Sequence, residues 1–312
     1  MILVTGANGN LGAATLAALR LAGVPAQGGS RTPAGGMRHL DFDDPATLDL
    51  RGVATLLLIS AGYAEDDIVL ARHAAVLDAA ARDGVGHVVY TSLTTGGDHL
   101  AFAAAHRATE RLIRDSGLPW TILRNGLYAE LFGGLLTWTS DGLESPFGDG
   151  ALAAVARADL AEAAAIVAAD PTPHTGLVHD LVGTPITATR IAAALAVPHR
   201  TLDLTTYRDR LLNATPGLLP FQPPMLSSIA TAVRHGFLSA TGPDLPNLLG
   251  RPLTDPLAVA AAAASASHRA ASGHEPGGAG GCEPEGAGGC EPGGAGNCAK
   301  GNGTSGSSGI LQ

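Results

Sequence analysis

Three glycines close to the start of the chain have the spacing of a phosphate-binding turn. Gly6, Gly9 and Gly12 lie between an apolar run, MILVT, and a helix-like stretch, AATLAALRLAG. The first glycine permits a sharp bend off a strand, the second lets the backbone approach a pyrophosphate, and the third lets the helix pack against the strand. The N–H groups and the positive dipole end of the helix would then face the phosphates. The turn therefore predicts a dinucleotide site formed by Gly6, Asn8, Gly9, Asn10, Leu11 and Gly12.

The residues after the second predicted strand indicate which dinucleotide binds. VPAQGGS (24–30) is strand-like and leads directly to Arg31. NAD sites usually have an acidic residue here that holds the ribose 2′-hydroxyl, whereas a cation suits a 2′-phosphate. Arg31 therefore favours NADP, with NAD as the alternative coenzyme and a solvated loop arginine as the alternative role. Asp41 and Phe42 follow a third short strand and are expected near the adenine.

The elements that must position these residues alternate between strand and helix. VATLLLISAG (53–62) reads as a buried strand, and Ser60 and Ala61 at its end are small enough to leave room for the cofactor. A helix is predicted over 65–83, a strand over 86–93, and a sixth strand at LPWTILR. This order predicts an α/β fold with a Rossmann-type, doubly wound parallel sheet and a site at the carboxyl ends of its strands.

Composition and charge exclude several classes of protein. Hydrophobic residues make up 46% of the chain and charged residues 15%, which is typical of a globular protein. The net charge is −9 and there is no run of Lys or Arg, so nucleic acid is not expected to bind. We see no secretory signal, and no apolar run is long enough to span a bilayer. All three cysteines lie after residue 281, so no disulfide framework is expected and a cytoplasmic location is favoured.

Taken together, the motifs resemble the short-chain dehydrogenase/reductase superfamily, in its atypical NmrA-like branch, and within that branch the type 2 NAD(P)H:quinone oxidoreductases. The resemblance covers about residues 1–260. Its motifs are VTGANGNLG, SRTP, DFDDPATL, GVGHVVYTSL and AHRATERLIRDSGLPWTILRNGLYAELF. The glycine motif is common to the superfamily, whereas HRATE with LRNGLY is more specific to this branch. The resemblance implies a reductase that uses NADPH to transfer a hydride to a quinone or a similar activated carbonyl compound.

The chain departs from ordinary short-chain dehydrogenases at their catalytic positions. In those enzymes a Tyr donates a proton to the carbonyl oxygen, a Lys lowers the pKa of that Tyr, and a Ser holds the substrate. Ser92 stands at the Ser position, but Phe102 replaces the Tyr and His106 replaces the Lys. A mechanism that relies on the Tyr for reducing simple ketones is therefore not expected.

Reduction of a quinone does not need a strong acid from the protein, because the hydroquinone anion is far more stable than a simple alkoxide. A donor near the developing oxyanion would suffice. His106 can be that donor, and its ordinary pKa near 6.5 would suit proton delivery near neutrality. A role in binding the cofactor ribose is an equal alternative for His106. Tyr128 is a second candidate donor or a stacking surface, and Asn125 is expected to position the carboxamide or a loop. Glu110, one turn beyond His106, is expected on a solvated face, with pairing to His106, Arg107 or Arg114 as the alternative.

Three segments are predicted: a dinucleotide-binding domain (1–125), a smaller substrate lobe (126–267) and a disordered, Gly-rich tail (268–312). Beyond residue 125, strands are expected over 176–182 and 199–204, with a helix over 187–195. Phe221, Met225 and Phe237 could line the apolar wall of the lobe, but ordinary core packing is favoured for each of them. In the tail, Cys282, Cys290 and Cys298 recur every eight residues, a spacing unlike that of zinc ligands, so no metal site is expected.

Two roles remain open at this point. One is catalysis, with a small-molecule acceptor as the partner and His106, Tyr128 and Ser92 as the catalytic residues. The other is a sensor that binds NADP(H) without turnover and regulates a partner protein. Loss of the Tyr is compatible with both, and the sequence also leaves a homodimer open.

Overall fold

The computed structural model describes residues 1–61 and 64–271. Its main sheet consists of seven strands, all paired in parallel. Numbered along the chain, they are β1 (Ile2–Val4), β2 (Ala26–Ser30), β3 (Arg38–His39), β4 (Thr55–Ile59), β5 (His87–Leu93), β6 (Trp120–Asn125) and β10 (Val178–Leu181). The spatial order is β10-β6-β5-β4-β1-β2-β3. Because the chain returns from β3 to β4 on the other side of β1, a crevice opens at the carboxyl ends of β1 and β4.

Helices cover both faces of this sheet, as the prediction of a doubly wound fold requires. On one face α1 (Asn10–Leu21) packs beside α5 (Arg157–Ala169), and on the other α2 (Asp66–Arg82) packs beside α3 (Ala103–Asp115). The central strands β4 and β5 are buried along nearly their whole length. Their sequences, TLLLI and HVVYTSL, are rich in apolar and β-branched residues because both faces meet helices. The predicted α/β class and parallel sheet are confirmed.

The segment beyond residue 125 builds a second lobe and also completes the main sheet. β9 (Ala151–Ala154) pairs antiparallel with β11 (Thr184–Thr187), while β12 (His199–Thr201), β8 (Gly142–Ser145) and β7 (Thr137–Thr139) form a three-stranded sheet. Besides α5, the helices of the segment beyond residue 125 are α4 (Ala129–Gly134), α6 (Ala188–Ala194), α7 (Leu204–Leu212), α8 (Gln222–Arg234), α9 (Asp244–Leu249) and α10 (Pro256–Ala271). The strand expected over 176–182 is β10, which pairs with β6 in the first sheet rather than with a strand of the lobe.

The last described helix, α10, runs to Ala271, so it continues into the segment predicted as the tail. The His268 ring stacks on Trp138 with 4.3 Å between ring centroids. Cys282, Cys290 and Cys298 lie outside the described residues. Within residues 1–61 and 64–271 there is no cluster of three metal-ligating side chains. Over the same residues, no helix combines the length and hydropathy that crossing a bilayer requires.

Candidate functional site

A cavity of about 580 Å³ lies along the carboxyl ends of β1, β2, β4, β5 and β6. It collects every residue that the sequence predicted as a coenzyme-binding or catalytic residue. These residues are Gly6, Asn8, Gly9, Asn10, Leu11, Gly12, Arg31, Asp41, Phe42, Ser60, Ala61, Ser92, His106, Asn125 and Tyr128. Their presence in one cavity follows from the parallel sheet, which brings the ends of successive strands to the same edge. The roles assigned to them remain predictions.

The glycine turn is sterically tight at the positions where the motif requires glycine. Gly6 has φ of +60°, which L-residues with a side chain rarely adopt, and its carbonyl accepts the Gly9 N–H at 2.9 Å. A Cβ on Gly12 would lie 2.3 Å from the Gly6 carbonyl oxygen. α1 can therefore approach the turn only with glycine at position 12, and Leu11 and Gly12 in its first turn border the cavity. The first turn of a helix has N–H groups without intrahelical partners, which suit a pyrophosphate.

The loops after β1 and β2 are tied together beside this turn. The Asn8 side-chain amide donates to Ser30 Oγ at 2.8 Å and to the Thr32 carbonyl at 2.7 Å. Asn8 therefore holds the two loops together. Its side-chain nitrogen is used in these hydrogen bonds and not in a contact with a cofactor. Arg31 lies exposed between these partners, and no hydrogen bond or ion pair joins its guanidinium to a described residue. It is available to a 2′-phosphate at this end of the cavity.

Asp41 and Phe42 line the cavity next to an ion pair that the sequence did not indicate. Asp43 accepts two hydrogen bonds of 2.7 Å from Arg72 of α2. These bonds lower the pKa of the Asp43 carboxyl. Because the pair joins the loop after β3 to α2, it fixes the wall against which an adenine would pack.

Behind Ala61, a buried histidine holds the backbone where β4 ends. His73 Nε2 accepts the Ala61 N–H at 2.9 Å, and Nδ1 lies 2.8 Å from Thr109 Oγ1. Nε2 must therefore be unprotonated, and Nδ1 carries the proton. Burial lowers the pKa of His73 to about 3, and the charge of Arg72, like that of His106 when it is protonated, acts in the same direction. A neutral His73 thus fixes the entrance of the cleft from the α2 side.

His106 projects from the first turns of α3 into the same cavity. Its Nδ1 lies 3.0 Å from the hydroxyl of Tyr90 on β5, and its ring meets Phe102 edge-on at 6.2 Å. Burial and the adjacent Arg107 charge lower the pKa of His106 to about 4. The expectation that His106 keeps a pKa near 6.5 is therefore wrong. At neutral pH the ring is uncharged, so it can donate a hydrogen bond but does not hold the extra proton of an imidazolium.

Ser92 and Glu110 belong to a buried hydrogen-bond network. From the sequence, Ser92 is expected at the position that holds the substrate and Glu110 on a solvated face. Ser92 Oγ donates to Glu110 Oε1 at 2.7 Å, so its single proton is committed and it faces the cavity as an acceptor. Glu110 is 1% exposed, so the expectation of a solvated face is wrong, and the alternative of pairing with Arg107 and Arg114 is confirmed. Its carboxylate accepts from Arg107 and Arg124 at 2.7–2.9 Å and from Arg114 at 3.2 Å.

This network holds the segment that leads from β5 to α3. Arg107 also donates to the carbonyl oxygens of Leu93 and Thr94 at 2.8 Å, and Arg124 donates to Thr95 Oγ1 at 3.0 Å. Burial acts to raise the pKa of Glu110, but the hydrogen bonds from Arg124 and Ser92 and the Arg charges outweigh it and lower the pKa to about 2. The carboxylate is therefore charged at any ordinary pH.

Tyr128 and Asn125 complete the polar groups at the inner end of the cavity. The Arg157 guanidinium lies 4.8 Å from the centre of the Tyr128 ring. Burial raises the pKa of Tyr128, so the phenol keeps its proton. Asn125 Oδ1 is buried without a hydrogen-bond partner among the described residues. An orphaned acceptor of this kind fits the amide of a carboxamide.

The apolar wall is formed mainly by residues of the second lobe. Met225 and Ile229 of α8 line the cavity together with Leu127 and Leu131. Met225, for which core packing was favoured, packs against the core and also lines the cavity. Neither Phe221 nor Phe237 lines the cavity. Phe237 is 44% exposed and stacks on His99 at 4.1 Å.

Sequence reasoning missed Tyr90, His73 and Arg72. A signal for Tyr90 was present, because residues two apart in a strand share a face and residues four apart on a helix share a face. Tyr90 and Ser92 are such a strand pair, and His106 and Glu110 are such a helix pair. Their mutual contacts follow once β5 and α3 are packed together.

Comparison with known proteins gives consistent relatives, although no protein-family model matches the chain. The chain is 33% identical over 281 residues to quinone oxidoreductase 2 of Escherichia coli K12, covering 81% of this chain and 95% of that protein. It is 39% identical over 134 residues to the NmrA-like family domain-containing oxidoreductase flvB of Aspergillus flavus, covering 40% and 43% of the two chains.

Solved structures agree. The structure of the E. coli quinone oxidoreductase complexed with NADPH matches with a TM-score of 0.74 and 31% identity, covering 84% of this chain and 99% of that one. The Citrobacter triphenylmethane reductase complexed with NADP(H) matches with a TM-score of 0.74 and 30% identity, covering 83% and 98%. Since the alignment with the E. coli enzyme extends over nearly its whole length, the chain belongs to the NmrA-like branch of the short-chain dehydrogenase/reductase superfamily.

Proposed function

We propose that the chain is an NADPH-dependent reductase that transfers a hydride to a quinone or a similarly activated carbonyl acceptor. The observation that carries the proposal is one cavity with two chemically different ends. One end has the glycine turn and the exposed cation of Arg31. The other has His106 and Tyr128 beside an apolar wall.

The residues of the first end fit NADPH. The turn at Gly6–Gly12 would receive the pyrophosphate, and Arg31 would bind the 2′-phosphate. Phe42 and the Asp43–Arg72 pair would flank the adenine. Asn125 Oδ1 at the other end would accept a hydrogen bond from the carboxamide. When bound, the coenzyme supplies the hydride.

The second end suits a flat, apolar acceptor. Phe102, Leu131, Met225 and Ile229 would contact its rings and exclude water from the reacting carbon. The acceptor would be held against the nicotinamide by this packing, which supplies the close approach that hydride transfer needs.

A neutral donor is sufficient for such an acceptor. Reduction of a quinone places charge on an oxygen that is conjugated with an aromatic ring, so stabilisation by a hydrogen bond replaces concerted protonation. The Nε2 edge of His106 and the Tyr128 hydroxyl are the donors that the cavity offers. The product would take its proton from solvent afterwards. The reductase relatives whose structures contain NADP(H) support the same class of reaction.

The direct test is oxidation of NADPH by the purified chain with a panel of benzoquinones and naphthoquinones, with NADH measured in parallel. Saturable turnover with a quinone and a preference for NADPH are expected. Tight binding of NADPH without turnover on any acceptor would overturn the proposal and favour a redox sensor that acts on a partner protein.

The coenzyme assignment has its own test in Arg31→Ala. Loss of a charge-assisted hydrogen bond of about 1.5–3 kcal/mol corresponds to a roughly 10- to 100-fold weaker affinity for NADPH. The affinity for NADH should change little, because NADH has no 2′-phosphate. Arg20→Ala, an exposed arginine at the far end of α1, is the matched control. An equal loss for both coenzymes in Arg31→Ala would contradict the assignment.

A further inference from the structure

Behind His106, on the side away from the cavity, lies a buried phenol with no part in the coenzyme or acceptor site. Tyr90 is in the middle of β5 and has no exposed surface. Its hydroxyl lies 3.0 Å from His106 Nδ1. Because burial raises the pKa of Tyr90, the phenol is protonated at neutral pH.

The direction of this hydrogen bond follows from where the phenol proton can go. A hydroxyl buried this deeply needs an acceptor for its proton. Among the described residues, His106 Nδ1 is the acceptor that lies within hydrogen-bonding distance of the phenol. The Ser60 hydroxyl acts on the pKa of Tyr90 but makes no hydrogen bond, and Thr109 Oγ1 already donates to the Ala105 carbonyl at 2.8 Å and accepts from His73 Nδ1 at 2.8 Å. If His106 donated from Nδ1 instead, the phenol proton would be left unpaired, at the cost of an unsatisfied buried donor. The favoured arrangement is therefore Tyr90 as donor and His106 Nδ1 as acceptor.

This arrangement decides which proton His106 carries. A neutral imidazole has one N–H, and the hydrogen bond made by one nitrogen fixes the protonation of the other. With Nδ1 occupied as an acceptor, the proton is on Nε2. His106 borders the cavity beside Phe102, so the ring can present a donor to a bound molecule.

We infer that Tyr90 is a positioning residue, which holds His106 in its Nε2–H tautomer so that Nε2 donates a hydrogen bond to the acceptor oxygen. The inference rests on the proposed reductase function for its last clause. The tautomer itself is a property of the resting protein. Tyr90 does not contact the acceptor, so its whole effect passes through the histidine.

The tautomer is measured by ¹⁵N NMR of the full chain labelled in histidine. The chain has eleven histidines, so the His106 signals are assigned by their loss in His106→Gln. The wild type should show Nε2 protonated and Nδ1 as an acceptor. Tyr90→Phe removes only the hydroxyl, so the His106 signals should shift towards a mixture of tautomers. An Nδ1–H tautomer in the wild type would overturn the inference without recourse to any variant.

Turnover separates positioning from a merely structural role. For Tyr90→Phe we expect kcat with a naphthoquinone to fall roughly tenfold, the size of effect expected when one oriented hydrogen bond is lost. The Kd for NADPH should stay unchanged. Tyr207→Phe, at a buried tyrosine of α7 that does not line the cavity, should alter neither the His106 signals nor kcat.

Two further outcomes would contradict the inference. Unchanged tautomer and unchanged kcat in Tyr90→Phe would show that the phenol does not control His106. A loss confined to NADPH affinity would show that Nε2 serves the coenzyme ribose and not the acceptor. If the wild type turns over no acceptor, the proposed function fails while the NMR measurement still decides the role of Tyr90.

Discussion

Replacing Glu110 by Gln removes the charge at the centre of the network beneath the cavity. The substitution keeps the size of the side chain and leaves one oxygen as an acceptor. It also leaves Arg107 and Arg124 facing a neutral group, although both keep contacts to the segment after β5. We predict a large loss of stability, even though the residue lies outside the coenzyme and acceptor site.

The magnitude follows from the ionisation of the carboxyl. Folding lowers the pKa of Glu110 from an ordinary 4.5 to about 2. At about 1.4 kcal/mol for each tenfold change in the ionisation constant, the charged form contributes roughly 3 kcal/mol to the free energy of unfolding at pH 7. Glu110 itself is 1% exposed, but the arginines bound to it are 18–37% exposed, so roughly 3 kcal/mol is an upper value. Breaking a buried ion pair costs about 3–5 kcal/mol, which agrees.

The pH dependence has a definite sign. The folded pKa is depressed, so the contribution is complete above pH 4.5 and is lost as the pH falls towards 2. The difference between wild type and Glu110→Gln should therefore be largest near neutrality and should shrink below pH 4.5.

The assay is equilibrium unfolding in urea at pH 7, with turnover measured beside it. Glu162→Gln is the matched control, because Glu162 is also paired with an arginine, Arg251, but is 40% exposed. An exposed pair contributes about 0–1 kcal/mol, so the control should be nearly as stable as the wild type. Similar stability of the two variants would refute the reasoning that burial of the network makes Glu110 important.

Two other predictions concern the glycine turn and the two buried histidines. Gly12→Ala should weaken NADPH binding at least tenfold and destabilise the fold by about 1–3 kcal/mol, because its Cβ would lie 2.3 Å from the Gly6 carbonyl oxygen. Isothermal titration would measure the binding, and Gly217→Ala, where a Cβ meets nothing within 4 Å, should have no effect. His73 and His106 have folded pKa values of about 3 and 4 against 6.5 unfolded. Their contribution to stability is complete above pH 6.5 and falls towards pH 4, so urea midpoints should drop over that window and drop less in His73→Gln.

The parts of the fold that follow local signals could be predicted from the sequence. Apolar runs bounded by turn residues marked β4, β5 and β6, and the glycine turn marked the start of α1. Because a parallel sheet brings strand ends together, the residues after each strand could be placed in one site without knowing any side-chain contact. This is why the predicted site residues line a common cavity.

What depends on pairing between distant segments could not be predicted in this way. β10 lies more than fifty residues after β6 in the chain, and nothing in its own residues shows that it returns to the first sheet. Phe237 is a large apolar residue of the kind that lines a ligand cavity. However, the chain just after the end of α8 places it on the surface, where its ring stacks on His99. In the sequence, the neighbours of Glu110 are typical of a helix face that is exposed to solvent. Its burial is apparent only when Arg124 of β6 packs against α3.

The charges around α3 explain why a histidine suits position 106. A lysine there would place a cation beside Arg107 in a buried position. Glu110, the carboxylate that acts on His106, is already bonded to Arg107, Arg114 and Arg124. A second buried cation would therefore gain little attraction to offset its desolvation. An uncharged imidazole has no such requirement and can still donate a hydrogen bond when Tyr90 occupies its other nitrogen. A neutral His106 is thus consistent with the acceptor proposed above, a quinone, whose reduction needs a hydrogen-bond donor and not an acid.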